Sequence, residues 1–105
     1  MSRRFNQANA LAQVVSAASG VPVDPFLLER VKPTAPQVRL SRSQRELNVQ
    51  GAFRVRKQVA AKVEGRKIVL VDDVMTSGAT LNAAARALLR ARAARVDVLV
   101  FARAA

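Results

Sequence analysis

Asp72 and Asp73 are adjacent carboxylates that follow the apolar run Ile68, Val69, Leu70 and Val71 and precede Thr76, Ser77, Gly78, Ala79 and Thr80. Side by side at the carboxyl end of a strand, where open α/β sheets bind ligands, they repel each other and are costly to bury without partners. A sugar diol gives them a use, because one carboxylate accepts hydrogen bonds from two neighbouring hydroxyls. A hydrated Mg²⁺ gives them another, because both attract a cation. The small residues from Thr76 to Thr80 lead into a helix N-terminus, so successive backbone N–H groups and the helix dipole can face a phosphate. Carboxylates for a diol beside a cradle for a monophosphate describe a ribose 5-phosphate site.

Other loops fit less well. No Lys follows Gly78, which a Walker A loop requires. An Asp-x-Asp-x-Thr phosphotransfer loop needs an acid where Val74 stands, and a receiver-type acidic pair leaves the glycine loop unexplained. An ordinary helix cap, with Thr76 or Ser77 at the N-cap and Asp73 near the dipole, uses one residue of the string and leaves the others without a role.

Composition limits the chemistry further. The 105 residues hold no Cys and no His, which removes thiol nucleophiles, imidazole bases, disulfides and Cys- or His-ligated zinc. Eighteen Lys and Arg face seven Asp and Glu, a net charge of +11. From Arg30 to Lys67 eleven cations stand against two acids, a local +9 that expects an anion, either a small phosphorylated ligand or a nucleic-acid backbone. Four Phe with no Tyr or Trp make a poor base-stacking platform, so nucleic-acid binding would be weak and electrostatic. The apolar runs are far shorter than the ~20 residues of a membrane span, and the N-terminus has no apolar signal core. A cytoplasmic protein of one domain is expected.

The positioning elements follow from periodicity. Ala8, Leu11, Ala12, Val15 and Ala18 recur at helical spacing, which predicts a helix over Phe5 to Ala18 ended by Gly20. Val21 to Leu28 carries Pro22 and Pro25 and reads as a short strand confined to a sheet edge or to one end of the stretch; Val31 to Val38 reads as loop. Ser41 and Gln44 have capping-box spacing, which predicts a helix from about Arg42 to Leu47. Phe53 to Val63 reads as strand, helix or both in turn, with a turn at Gly65. Lys67 to Val71 and Val96 to Phe101 read as strands buried on both faces, joined by a helix from Thr80 to Ala94, a βαβ unit.

The string Val71 to Thr80 resembles the phosphoribosyl-diphosphate (PRPP) motif of type I phosphoribosyltransferases. Phe5-Asn6-Gln7-Ala8, the Arg30 to Ser41 pattern, Arg45-x-x-Asn48-Val49-x-Gly51-Ala52-Phe53 and Phe101-Ala102-Arg103 resemble, in order, the ComF competence-protein family. The resemblance implies an α/β, Rossmann-type, mostly parallel sheet with flanking helices. It also implies Mg²⁺-dependent transfer of phosphoribosyl from PRPP to a base or amine, with pyrophosphate released. Asp72 and Asp73 would hold the ribose hydroxyls with Mg²⁺, and Thr76, Ser77, Gly78, Ala79 and Thr80 the 5-phosphate. Residues 30–66 would form a hood whose Arg39, Arg42 and Arg45 either meet the pyrophosphate or make a solvated basic helix face. A link to DNA uptake follows from the family name.

Against that pattern the zinc-ribbon cysteines are absent, so no zinc is expected. Arg4 stands where Gly is usual, and the first strand of the fold is expected to be missing, which would leave apolar surface for self-association. Arg92 stands where a glycine usually ends the last helix. A PRPP- or nucleotide-binding module without catalysis, and an electrostatic nucleic-acid-binding accessory protein, are the alternative functions.

Overall fold

A computed structural model of the chain describes residues 3–31, 41, 43–44, 50–75 and 78–103. Helix α1 spans Arg3–Ser19. It ends as its glycine predicts: Gly20 takes φ 78°, and its N–H donates to the Ser16 carbonyl at 2.9 Å, the single bond of a left-handed C-terminal cap. Ala8, Leu11, Ala12 and Val15 are half-buried while Ala18 is exposed, and α1 packs against the strand β3 described below.

The short strand expected within residues 21–28 is not there. The Asp24 carboxylate accepts the Phe26 N–H at 3.0 Å and folds that stretch into a turn, and strand β1 follows it at Glu29–Arg30. It pairs antiparallel with β2, Phe53–Arg54. Both cross-strand pairs are complementary: Glu29 meets Arg54 Nε at 3.0 Å, and Arg30 lies over the Phe53 ring, 5.5 Å from its centroid. The Val31 N–H donates to the Ala52 carbonyl at 2.8 Å, so this ribbon clamps together the two ends of the segment between them. Within that segment the capping box is formed, Ser41 N–H to Gln44 Oε1 at 2.9 Å and Gln44 N–H to Ser41 Oγ at 3.2 Å, with Ser43 and Gln44 helical. The remainder of the predicted helix, and residues 32–38 of the predicted loop, lie outside the described residues.

Phe53 to Val63 is strand and then helix, but the helix is a 3-10 helix, Lys57–Lys62. Its N-cap, Arg56, is extended and makes no side-chain capping bond, and no acid occupies its first turn, so little favours an α-helical start. Gly65 turns the chain at φ 72° into β3, Lys67–Met75. Helix α2, Ala79–Arg90, then leads to β4, Arg95–Arg103, which pairs parallel with β3 from Lys67↔Arg95 to Met75↔Arg103. The βαβ unit is therefore present, with a helix that ends four residues earlier than expected.

Arg92 is the reason for the shortening. It takes φ 70°, and the Arg92 N–H donates to the Leu89 carbonyl at 3.0 Å while the Ala93 N–H donates to the Leu88 carbonyl at 3.1 Å. Those two bonds are the Schellman pattern that ends a helix. Ala93 and Leu88 then meet in the core with Val63, surrounded by Leu27, Leu28, Val55, Ile68, Leu70, Ala91 and Val96.

The strands are not buried on both faces. Ile68 and Leu70 face the core, but Val69, Val98, Leu99 and Phe101 are exposed. Among the described residues β3 and β4 form a sheet of two strands, too narrow for the helices to cover both faces.

Candidate functional site

Strand pleating decides how the two carboxylates differ. Successive side chains leave a strand on opposite faces, so Asp72 shares the face of Ile68 and Leu70, toward the core, and Asp73 shares that of Val69 and Val71. Burial follows: Asp72 is 8% exposed and Asp73 is half-buried. Asp72 lies in register with Val100 of β4. Its Oδ1 accepts the Asp73 backbone N–H at 2.9 Å, which fixes the carboxylate's rotation, and among the described residues no buried side-chain polar atom lacks a partner. The strand continues to Met75, so the acids sit inside its C-terminal part and not beyond its end.

Gly78 is the N-cap of α2 with φ 83°, a conformation that L side chains rarely adopt. It makes no side-chain capping bond; its carbonyl accepts the first helical bond, from the Asn82 N–H at 2.8 Å. The amino end of α2 thus begins at Gly78, three residues after Met75 ends the strand that carries the acids, with Ala79 buried and Thr80 half-buried. Of the expected phosphate residues, Gly78, Ala79 and Thr80 are thus placed; Thr76 and Ser77, like Arg39, Arg42 and Arg45, lie outside the described residues. Because Gly78 is the cap, the ordinary reading of Thr76 or Ser77 as N-cap does not hold.

The phosphoribosyl transferase domain family model matches residues 5–105. The chain belongs to the phosphoribosyl transferase domain family. Its α/β fold, with a parallel strand pair joined through a helix, is that family's kind of architecture. Among curated proteins this phosphoribosyl transferase domain is 40% identical over 96 residues to the DNA utilization protein YhgH of Salmonella typhi and to that of Escherichia coli K12, in each case over 91% of the chain and 40% of the relative. It is 36% identical over 104 residues to competence protein F of Haemophilus influenzae, over 97% of the chain and 44% of that protein. The domain thus spans about two fifths of the length of the curated relatives it matches. No solved structure matches it.

Sequence reasoning missed the bond from the Asp73 N–H to Asp72 and the unequal burial of the two acids. The strand's period of two carried a signal for the second; nothing in the sequence signals the first. Among the described residues no group of three or more His, Cys, Asp or Glu gathers to hold a metal, and no helix is long and apolar enough to cross a membrane.

Proposed function

We propose that the chain binds PRPP with Mg²⁺ at the C-terminal end of β3 and serves phosphoribosyl transfer to a base or amine in the whole protein. One observation carries the reading: the acids of β3 are followed, three residues beyond the strand's end, by the glycine-capped amino end of α2 within a domain of the phosphoribosyl transferase family. The donor set suits a cation held through substrate oxygens, since among the described residues it supplies two carboxylates and gathers no third carboxylate, His or Cys beside them.

Asp72 is pre-oriented by the Asp73 N–H, and it and Asp73 accept hydrogen bonds from the ribose 2- and 3-hydroxyls. Gly78, Ala79 and Thr80, with Thr76 and Ser77, hold the 5-phosphate, anchoring the sugar at its far end. The C1–O bond to pyrophosphate then breaks, the electron pair leaving with pyrophosphate, as the acceptor nitrogen bonds C1 and gives its proton to solvent. Mg²⁺ bound with the substrate supplies positive charge to the departing pyrophosphate. Arg39, Arg42 and Arg45 in the 30–66 hood add to that charge and shield the reaction from water. The names of the relatives, DNA utilization protein and competence protein F, support a role in DNA uptake or use.

Titration calorimetry of PRPP in the presence of Mg²⁺ tests the site. Asp72→Asn and Asp73→Asn each weaken binding at least tenfold, the scale of a lost charge-assisted hydrogen bond. Binding that survives both substitutions overturns the site. Pyrophosphate release from PRPP separates a transferase from a binding module without catalysis.

A further inference from the structure

The opposite end of the sheet carries a second charged surface. There the Gly65 N–H donates to the Arg92 carbonyl at 2.8 Å, and the Ala94 N–H to the Arg66 carbonyl at 2.8 Å, lacing the 63–66 turn to the 91–94 turn. Lys67 lies directly across from Arg95 in register, and the last turn of α2 adds Arg90, with Arg86 one turn before it. Arg66, Lys67, Arg86, Arg90, Arg92 and Arg95 are all exposed. The acids nearby are Glu64, which is exposed, and Asp97, which Arg95 Nε meets at 3.0 Å. For Arg66, Lys67, Arg86, Arg90 and Arg92 no ion pair forms among the described residues.

Five of these cations stand where local rules disfavour them. Lys67 and Arg95 are like charges directly opposite on paired strands. Arg86 and Arg90 are like charges four apart on a helix with no acid in it. Arg92 occupies a left-handed position that favours glycine. A cation or two near a helix C-terminus complements its dipole, which accounts for Arg90 alone. Repeated local violations on one surface mark a site with another purpose.

We propose that this end of the sheet binds the phosphate backbone of duplex nucleic acid without reading its sequence. The cations are spread over two turns and a helix face with no buried polar side chain among them, which fits a long polyanion and not a single phosphate. Four of the first-named five are arginines, whose planar forks match phosphate oxygens in pairs. At about 3.3 Å per residue, Lys67 lies ~16 Å along β3 from Asp72, so the surface stands apart from the carboxylates, which would repel a polyanion. The proposal does not depend on PRPP binding.

Fluorescence anisotropy of labelled duplex DNA against the purified chain, over a salt series, is the test. The Arg66→Gln, Lys67→Gln, Arg90→Gln triple variant lowers affinity at least tenfold at about 50 mM salt and flattens the log–log salt slope by about two to three. An equal-charge control, Arg30→Gln, Arg56→Gln, Lys57→Gln, changes affinity less than threefold, with far-UV circular dichroism confirming that both variants fold. Equal losses in both variants, reflecting net charge only, overturn the proposal. So does an absence of DNA binding by the parent chain at low salt, or binding to phosphatidylserine vesicles with none to DNA.

Discussion

At the scale of single residues, Arg92 is where sequence and fold disagree most sharply. The two Schellman bonds and the Ala93–Leu88 contact commit the chain to a left-handed residue at this position. A left-handed L residue other than Gly or Asn costs roughly 1–2 kcal/mol, and glycine avoids that at the expense of a looser unfolded chain. Arg92→Gly therefore raises stability by about 1 kcal/mol and the melting temperature by roughly 4 °C or more, read by thermal denaturation. The same substitution removes a cation from the basic end of the sheet, so DNA affinity falls while stability rises. A variant that gained stability with undiminished DNA binding would take Arg92 out of the interface.

Among the elements, α2 joins the core to the candidate site. Leu88 is 1% exposed and meets Val63 and Ala93, and the opposite end of the same helix begins at the Gly78 cap, three residues after β3 ends. Leu88→Ala costs about 2–5 kcal/mol by urea denaturation, a large share of the stability of a domain this small. Since α2 then loses its anchor, PRPP affinity falls with it under conditions where the variant is still folded. Much at this scale was legible in the sequence: α1 with its glycine cap, the Ser41–Gln44 capping box and the strand, helix, strand order around Asp72 and Asp73 all rest on local patterns. What was not legible depends on distant neighbours. Strand burial failed because the Ile68 to Val71 run says nothing of how many strands flank it, and the β1–β2 ribbon joins Glu29 to Arg54, too far apart for any local rule. At the site, the carboxylates and Gly78 announced themselves, whereas the turn of the Asp72 side chain back to the next N–H is a rotamer choice that no spacing encodes.

The whole molecule sets an apolar sheet against a high net charge. Its radius of gyration, 13.5 Å, is near the ~13 Å of a compact domain of about 100 residues, so the chain has collapsed around its core. Even so, Val69 remains 53% exposed and Phe101 51%, with Leu99 on the same face of the sheet also in contact with solvent, a patch of the kind that drives association. Opposing that is the charge of +11, which repels one copy from another over about 10 Å at 0.1 M salt and over only about 3 Å at 1 M. Apolar burial is insensitive to that screening. Light scattering across a salt series therefore finds the chain monomeric at low ionic strength and associating as salt rises, the reverse of what ion-paired contacts would give. Leu99→Lys together with Phe101→Lys keeps it monomeric throughout, because the patch loses its two largest apolar side chains and gains charge. Association that weakens with salt would instead mean that copies join through Asp24, Glu29, Asp97 and the surrounding cations.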